Sequence, residues 1–232
     1  MSSPDPSQSE ALSAATWRDA FAVYLQSRVL IVLFLGFSSG LPLALSGSTL
    51  LIWMRQAGVD LGTIGLFALV GTPYTIKFLW APLVDALPLP FLTRALGRRR
   101  GWLVFAQGLL FIAIIFLAMT NPQNSPGLVA LFALLVAAAS ATQDIVVDAF
   151  RVESLKPEEQ AAGMASYVAA YRIGMLISTA GALFLVTGFE HIQFFAKTAW
   201  MWGYLVMALL VLLGTAAALV ATEPDAPNSS TA

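Results

Sequence analysis

Six stretches of about 20 mostly apolar residues dominate this chain, and about 20 is what a helix needs to cross a hydrocarbon core roughly 30 Å thick. They run over roughly 29–54, 61–84, 102–120, 128–150, 161–187 and 198–221. A backbone in hydrocarbon must satisfy its own N–H and C=O groups, so runs of this kind fold as helices. The expected fold is therefore an all-α membrane protein with six transmembrane helices. Composition agrees: 58% of the residues are hydrophobic and 11% charged, with a mean hydropathy of +0.79. Soluble domains carry about 25% charged residues. Twelve Lys and Arg stand against thirteen Asp and Glu. That balance lacks the basic footprint of a nucleic-acid binder, so no nucleic-acid partner is expected. The chain has no Cys and one His, His191. A Cys- or His-built metal centre and thiol chemistry are excluded, and neither metal nor cofactor is expected.

Basic residues in the short loops set the orientation. Arg18, Arg28, Arg94, Arg98, Arg99, Arg100, Arg151 and Lys156 fall on one side, Arg55 and Lys197 on the other. Both termini and the loops 85–101 and 149–160 are expected in the cytoplasm. Residues 1–15 are polar and Pro-bearing and read as a disordered cytoplasmic tail. In 16–27, Trp17, Phe21, Tyr24 and Leu25 recur at helical spacing beside Arg18, Asp19 and Arg28. That is the pattern of an amphipathic helix on the inner membrane surface, or equally of a cytosolic extension of the first span. The bundle occupies 28–222, and 223–232 reads as a second cytoplasmic tail.

Charges and kinks inside the spans carry the functional signal. The segment GFSSGLPLALSG at 36–47 places Ser38, Ser39 and Pro42 mid-membrane. Pro42 frees a backbone carbonyl, as in the broken helices that line transporter sites. Gly36 and Gly40 have the spacing of close helix packing, and both readings stand. Lys77 lies sixteen residues into the second span, roughly 24 Å from the outer face at 1.5 Å per residue. Asp144 lies about as deep in the fourth, so Lys77 either pairs with Asp144 or extends to the cytoplasmic surface. Ser140, Asp144, Asp148 and Arg151 share one helix face. Asp144 is the candidate proton-accepting carboxylate, or else only the counter-charge to Lys77. Arg172 sits near the midplane of the fifth span, beside Tyr167, Tyr171, Gly174, Ser178 and Gly181. Its guanidinium suits a carboxylate or phosphate on a substrate, or an acid on another chain. Gly174 and Gly181 read as packing positions.

Between the second and third spans, APLVD at 81–85 is followed by GRRRGW at 97–102. An Asp ending one helix and a Gly-Arg-Arg opening the next resembles the signature loop of the major facilitator superfamily, stretched by an insert and with Ala81 in a usual Gly position. The resemblance implies that Asp85 and Arg98, Arg99 and Arg100 form a cytoplasmic gate. A closer resemblance covers 18 to about 222. RVLIVLFLGFSSGLPLALSGSTLLIWM, TIGLFALVGTPYTIKFLWAPLVD, SATQDIVVDAFRVESL and GMASYVAAYRIGMLIS are similar to the AmpG-type muropeptide permeases. That resemblance implies a proton-coupled bacterial inner-membrane carrier importing anhydro-muropeptides for peptidoglycan recycling. It also implies functional positions at Gly36, Gly40, Pro42, Lys77, Asp85, Gln143, Asp144, Asp148 and Arg172. Superfamily carriers join two six-helix halves, each a 3+3 inverted repeat, with substrate between them. One half supplies one wall, so the chain is expected either as an amino-terminal fragment or as a half-size carrier pairing with itself or a second chain. The alternative is a non-transporting membrane subunit. An intramembrane aspartyl hydrolase is disfavoured, because Asp144 and Asp148 share one helix.

Overall fold

The computed structural model describes residues 21–224. Trp17, Arg18 and Asp19, the tail at 1–15 and residues 225–232 lie outside the described residues. Among those described, six helical spans are long and apolar enough to cross a membrane: Ser27–Gln56, Leu61–Leu79, Arg98–Ala118, Pro126–Ser154, Pro157–Glu190 and Ala196–Val220. Of the segment 16–27, Phe21 and Ala22 are helical and exposed and Val23–Leu25 form a 3-10 turn, while 16–20 lie outside the described residues.

Three spans are interrupted. The first breaks at Gly47, one turn after Pro42, and the Ser46 hydroxyl donates to the Pro42 carbonyl at 2.9 Å. The second, expected as one helix, is segmented. Helical turns at Leu61–Leu66 and Thr72–Ile76 alternate with 3-10 turns at Phe67–Gly71 and Lys77–Leu79, before a last helix at Ala81–Ala86. Pro73 and Pro82 sit at the starts of segments, where their missing N–H costs least. Asp60 caps the first segment. The Thr63 hydroxyl and N–H both donate to its carboxylate, which holds it below the ordinary carboxyl range. The fifth span contains a π turn at Ile177–Gly181. Thr49 Oγ1 of the first span donates to the Ser178 carbonyl there at 2.7 Å, so a carbonyl inside the π turn is satisfied from outside the helix.

Spans one and five are in backbone contact. A Cβ at Gly36 would lie 2.6 Å from the Tyr167 carbonyl oxygen, and Gly40 and Gly174 face the Tyr171 and Phe37 carbonyls in the same way. Gly181 is different: a Cβ added there would meet only Ile177 of its own helix, at 3.5 Å. Apolar side chains fill the rest of the bundle, with Leu41, Leu45, Met54, Leu110 and Met207 in one cluster and Leu35, Trp102, Leu103 and Phe150 in another. Coverage is uneven. In their apolar windows, 67% of the first span and 61% of the fourth are buried, against 17% of the second and 22% of the fifth. Spans two and five are thus the least covered by the rest of the bundle.

Candidate functional site

Lys77 and Asp144 meet across the second and fourth spans. Lys77 Nζ lies 3.9 Å from Asp144 Oδ2, with the Asp144 side chain 9% exposed and the Lys77 side chain 34%. Lys77 opens the 3-10 turn at Lys77–Leu79 that interrupts its span. Beside Asp144, Gln143 Nε2 donates to Ser39 Oγ of the first span at 3.0 Å. Tyr74, one turn before Lys77, places its hydroxyl near Ser46 and Ser140 without a hydrogen bond of good geometry to either. Tyr171 of the fifth span is within electrostatic reach of Asp144, and its ring lies 6.0 Å from that of Tyr167.

The result is a polar cluster set among spans one, two, four and five. Four of its buried atoms have no protein partner among the described residues: Tyr74 Oη, Ser140 Oγ, Gln143 Oε1 and Asp144 Oδ1. Unpaired polar atoms are costly in a low-dielectric interior, and a folded protein keeps only a few of them in all. Four around a single ion pair make a patch able to bind a polar solute or exchange a proton.

The other candidate residues distribute unevenly. Ser39 and Gln143 belong to this cluster and Tyr171 borders it. Among the described residues, the one polar side chain bonded to Pro42 is that of Ser46 in the same span, which donates to its carbonyl. Ser38 does not: it is fully buried, and its hydroxyl donates to the Val211 carbonyl of the sixth span at 3.0 Å. Consecutive helical residues point about 100° apart, so when Ser39 faces the fourth span Ser38 faces the sixth. Arg172 follows Tyr171 but is exposed and forms no ion pair among the described residues. Asp148 is half exposed and 3.9 Å from Arg151 one turn on, a pairing worth little at a wet surface.

A second charged group ties together the ends of spans two, three and four. Arg99 is buried at 6% exposure; it bonds Asp85 at 2.6 Å and Glu153 at 2.9 and 2.5 Å. Arg98 donates to the Asp85 carbonyl. Arg100 turns away, to the carbonyls of Ala218 at 2.9 Å and Leu219 at 2.5 Å. Reading the sequence singled out the three arginines and Asp85 but missed Glu153, Glu223 and Tyr74. Glu153 stands two residues after Arg151 at a charged helix end, where nothing in spacing distinguishes a partner from a solvated side chain.

The Major Facilitator Superfamily profile matches residues 32–232. The chain is 43% identical over 202 residues to the anhydromuropeptide permease of Escherichia coli (strain K12), a match covering 87% of this chain and 39% of that protein. The same figures hold for the anhydromuropeptide permease of Escherichia coli O157:H7. A Rickettsia conorii (strain ATCC VR-613 / Malish 7) protein named as the putative transporter AmpG 4 is 33% identical over 205 residues, 88% of this chain and 47% of its own length. The chain thus spans 39–47% of the length of these relatives. With six apolar spans and a profile match over most of its length, the chain belongs to the Major Facilitator Superfamily.

Proposed function

We propose that this chain is a six-helix half of a secondary carrier that imports anhydro-muropeptides across the bacterial inner membrane, coupled to protons, in peptidoglycan recycling. The observation that carries this reading is the polar cluster around Lys77 and Asp144, beside the sparsely covered spans two and five, in a chain 43% identical to an anhydromuropeptide permease. A charge facing lipid costs roughly 2.5–3.5 kcal/mol on insertion scales. Arg172 is exposed on a membrane span, which favours a covered face, and a second six-helix half is the cover this reading assigns. Substrate then lies between the halves. Arg172 grips a carboxylate of the solute in a bidentate pair, and Tyr171, Ser39, Pro42 and Gln143 line its path. Asp144 takes up the proton at its unpartnered oxygen while Lys77 holds the other, and Asp148 continues the route inward. Asp85 with Arg98, Arg99 and Arg100 forms the inner gate. Both termini face the cytoplasm, by the excess of Lys and Arg in the inner loops.

The test is uptake of radiolabelled anhydro-muropeptide in a permease-null strain co-expressing this chain with the carboxyl-terminal half of the Escherichia coli permease. Uptake above the strain's background is expected. Arg172→Ala is expected to lower it at limiting substrate by at least about tenfold, the equivalent of one charge-assisted hydrogen-bond pair at about 1.5–3 kcal/mol. Absence of uptake with both halves present in the membrane rejects the carrier reading. Uptake that Arg172→Ala leaves unchanged rejects the role of Arg172 in gripping the solute.

A further inference from the structure

The sixth span ends at Val220, yet Glu223 beyond it is bound to the bundle rather than trailing into a tail. Its carboxylate accepts from the Arg99 N–H at 2.7 Å and from the Arg100 N–H at 3.0 Å. These are two of the N–H groups that the start of the third span leaves without partners in its own helix, and a carboxylate there also meets the positive end of the helix dipole. A helix ordinarily draws such a cap from the residue just before it. Here that residue is Gly97, with no side chain and a φ of 91°. A Cβ at Gly97 would lie 2.6 Å from Glu223 Oε2, so the glycine makes room for a cap brought from 124 residues away.

The contact is reciprocal. Arg100 donates to the carbonyls of Ala218 and Leu219, the last turn of the sixth span, so each helix end supplies the charge that caps the other. Arg99, whose backbone Glu223 holds, carries the guanidinium clamped between Asp85 and Glu153. Three arginines and three carboxylates thus interlock across the ends of spans two, three, four and six. Guanidinium–carboxylate pairs are directional, so how Arg99 meets both acids depends on where the first turn of the third span is fixed.

We propose that Glu223 is a positioning residue of the inner gate: it fixes the start of the third span, holds Arg99 between Asp85 and Glu153, and makes the end of the sixth span part of the same cytoplasmic clasp. This rests on the carrier reading, in which the inner ends open and close. The device differs from a simple helix cap because its effect reaches Asp85 and Glu153, on two other spans, through Arg99.

Hydrogen–deuterium exchange of the full chain in lipid nanodiscs tests it. Glu223→Ala is expected to speed exchange of the 98–102 amides about tenfold, the usual effect of losing a charged cap. Faster exchange is also expected around 85–88 and 153–155, with the outer ends of the spans unchanged. Glu223→Asp, which keeps the charge, is expected to recover part of the protection and covers the case in which the alanine variant fails to fold. In an Arg99→Gln background, Glu223→Ala is expected to add nothing at 85–88 and 153–155. Unchanged exchange at 98–102 in Glu223→Ala overturns the clasp, and an undiminished effect at 85–88 in the Arg99→Gln background overturns its action through Arg99. Exchange is read without transport, so a chain that shows these changes but no uptake rejects the carrier reading alone. If the co-expressed carrier transports and Glu223→Ala transports equally well, the gate role is rejected while the cap stands.

Discussion

Gly40→Val is expected to abolish the folded bundle or to lower its unfolding midpoint more than any other single change at a glycine of the spans. A Cβ on Gly40 points into the Tyr171 carbonyl, Cα and carbonyl carbon, and the atoms it meets are backbone rather than the movable end of a side chain. Gly36 and Gly174 meet Tyr167 and Phe37 backbone from the same two spans, so the first and fifth helices touch along a line that cannot widen at one point without widening at the others. Overpacking a core costs typically about 1–3 kcal/mol where side chains can shift, so a clash against fixed backbone sits at about 3 kcal/mol or above. In a bilayer the loss is felt fully, because lipid is as apolar as the side chains and helix association rests on close packing. Gly108 is the control: it lies within the third span, and a Cβ added there would meet nothing within 4 Å. Gly108→Ala is expected to leave the midpoint unchanged or raise it by the ~0.5–1 kcal/mol that alanine gains over glycine in a helix. Thermal unfolding in detergent, followed by size-exclusion fluorescence, separates the two. Equal midpoints for Gly40→Val and the parent would show that the spans can part without loss.

How much of this was legible in the sequence depends on whether the signal was local. Span number and extent were, because hydropathy over about 20 residues is a property of the chain alone. The third span begins at Arg98 rather than Trp102, since its first turn is capped by Glu223 from the far end of the chain. No local pattern announces that contact: Thr-Glu-Pro after an apolar run has the composition of any tail. The depth of Lys77 and Asp144 could be counted along two helices, and the two side chains do lie 3.9 Å apart. Rotation could not be counted in the same way. The first span is apolar on most of its circumference, so nothing in its sequence says which serine faces which neighbour, and Ser38 bonds the sixth span while Gln143 bonds Ser39. Segmentation of the second span hid Tyr74 as well. Its alternating α and 3-10 turns alter the helical phase that would have placed Tyr74 beside Ser140.

Lys77→Met is expected to destabilise the bundle more than Asp144→Asn, and Lys77→Met with Asp144→Asn together less than Lys77→Met alone. Removing one member of a buried ion pair costs roughly 3–5 kcal/mol because the other charge stays behind uncompensated. The two partners are not equivalent here. The Asp144 side chain is 9% exposed and has one oxygen with no partner, whereas the Lys77 side chain is 34% exposed. Without Lys77 the carboxylate is stranded in low dielectric, so Lys77→Met is expected at the lower end of that range, about 3 kcal/mol, given the solvent screening Lys77 already has. Without the carboxylate, Lys77 can turn its ammonium outward on its long stem, and Asp144→Asn is expected to cost about 1 kcal/mol. The double variant removes both charges and keeps the volumes, which is often close to neutral for a buried pair. A double-mutant cycle on chemical or thermal unfolding in detergent reads the coupling directly, and additive effects would mean that 3.9 Å of separation leaves the pair without energetic consequence. Under the proposed carrier reading, the same asymmetry bears on transport. A pair that loses little when its acid is neutralised, and much when its base is removed, tolerates a proton arriving on Asp144 with Lys77 in place. A proton-coupled carrier needs that tolerance at the site where proton and solute share a path.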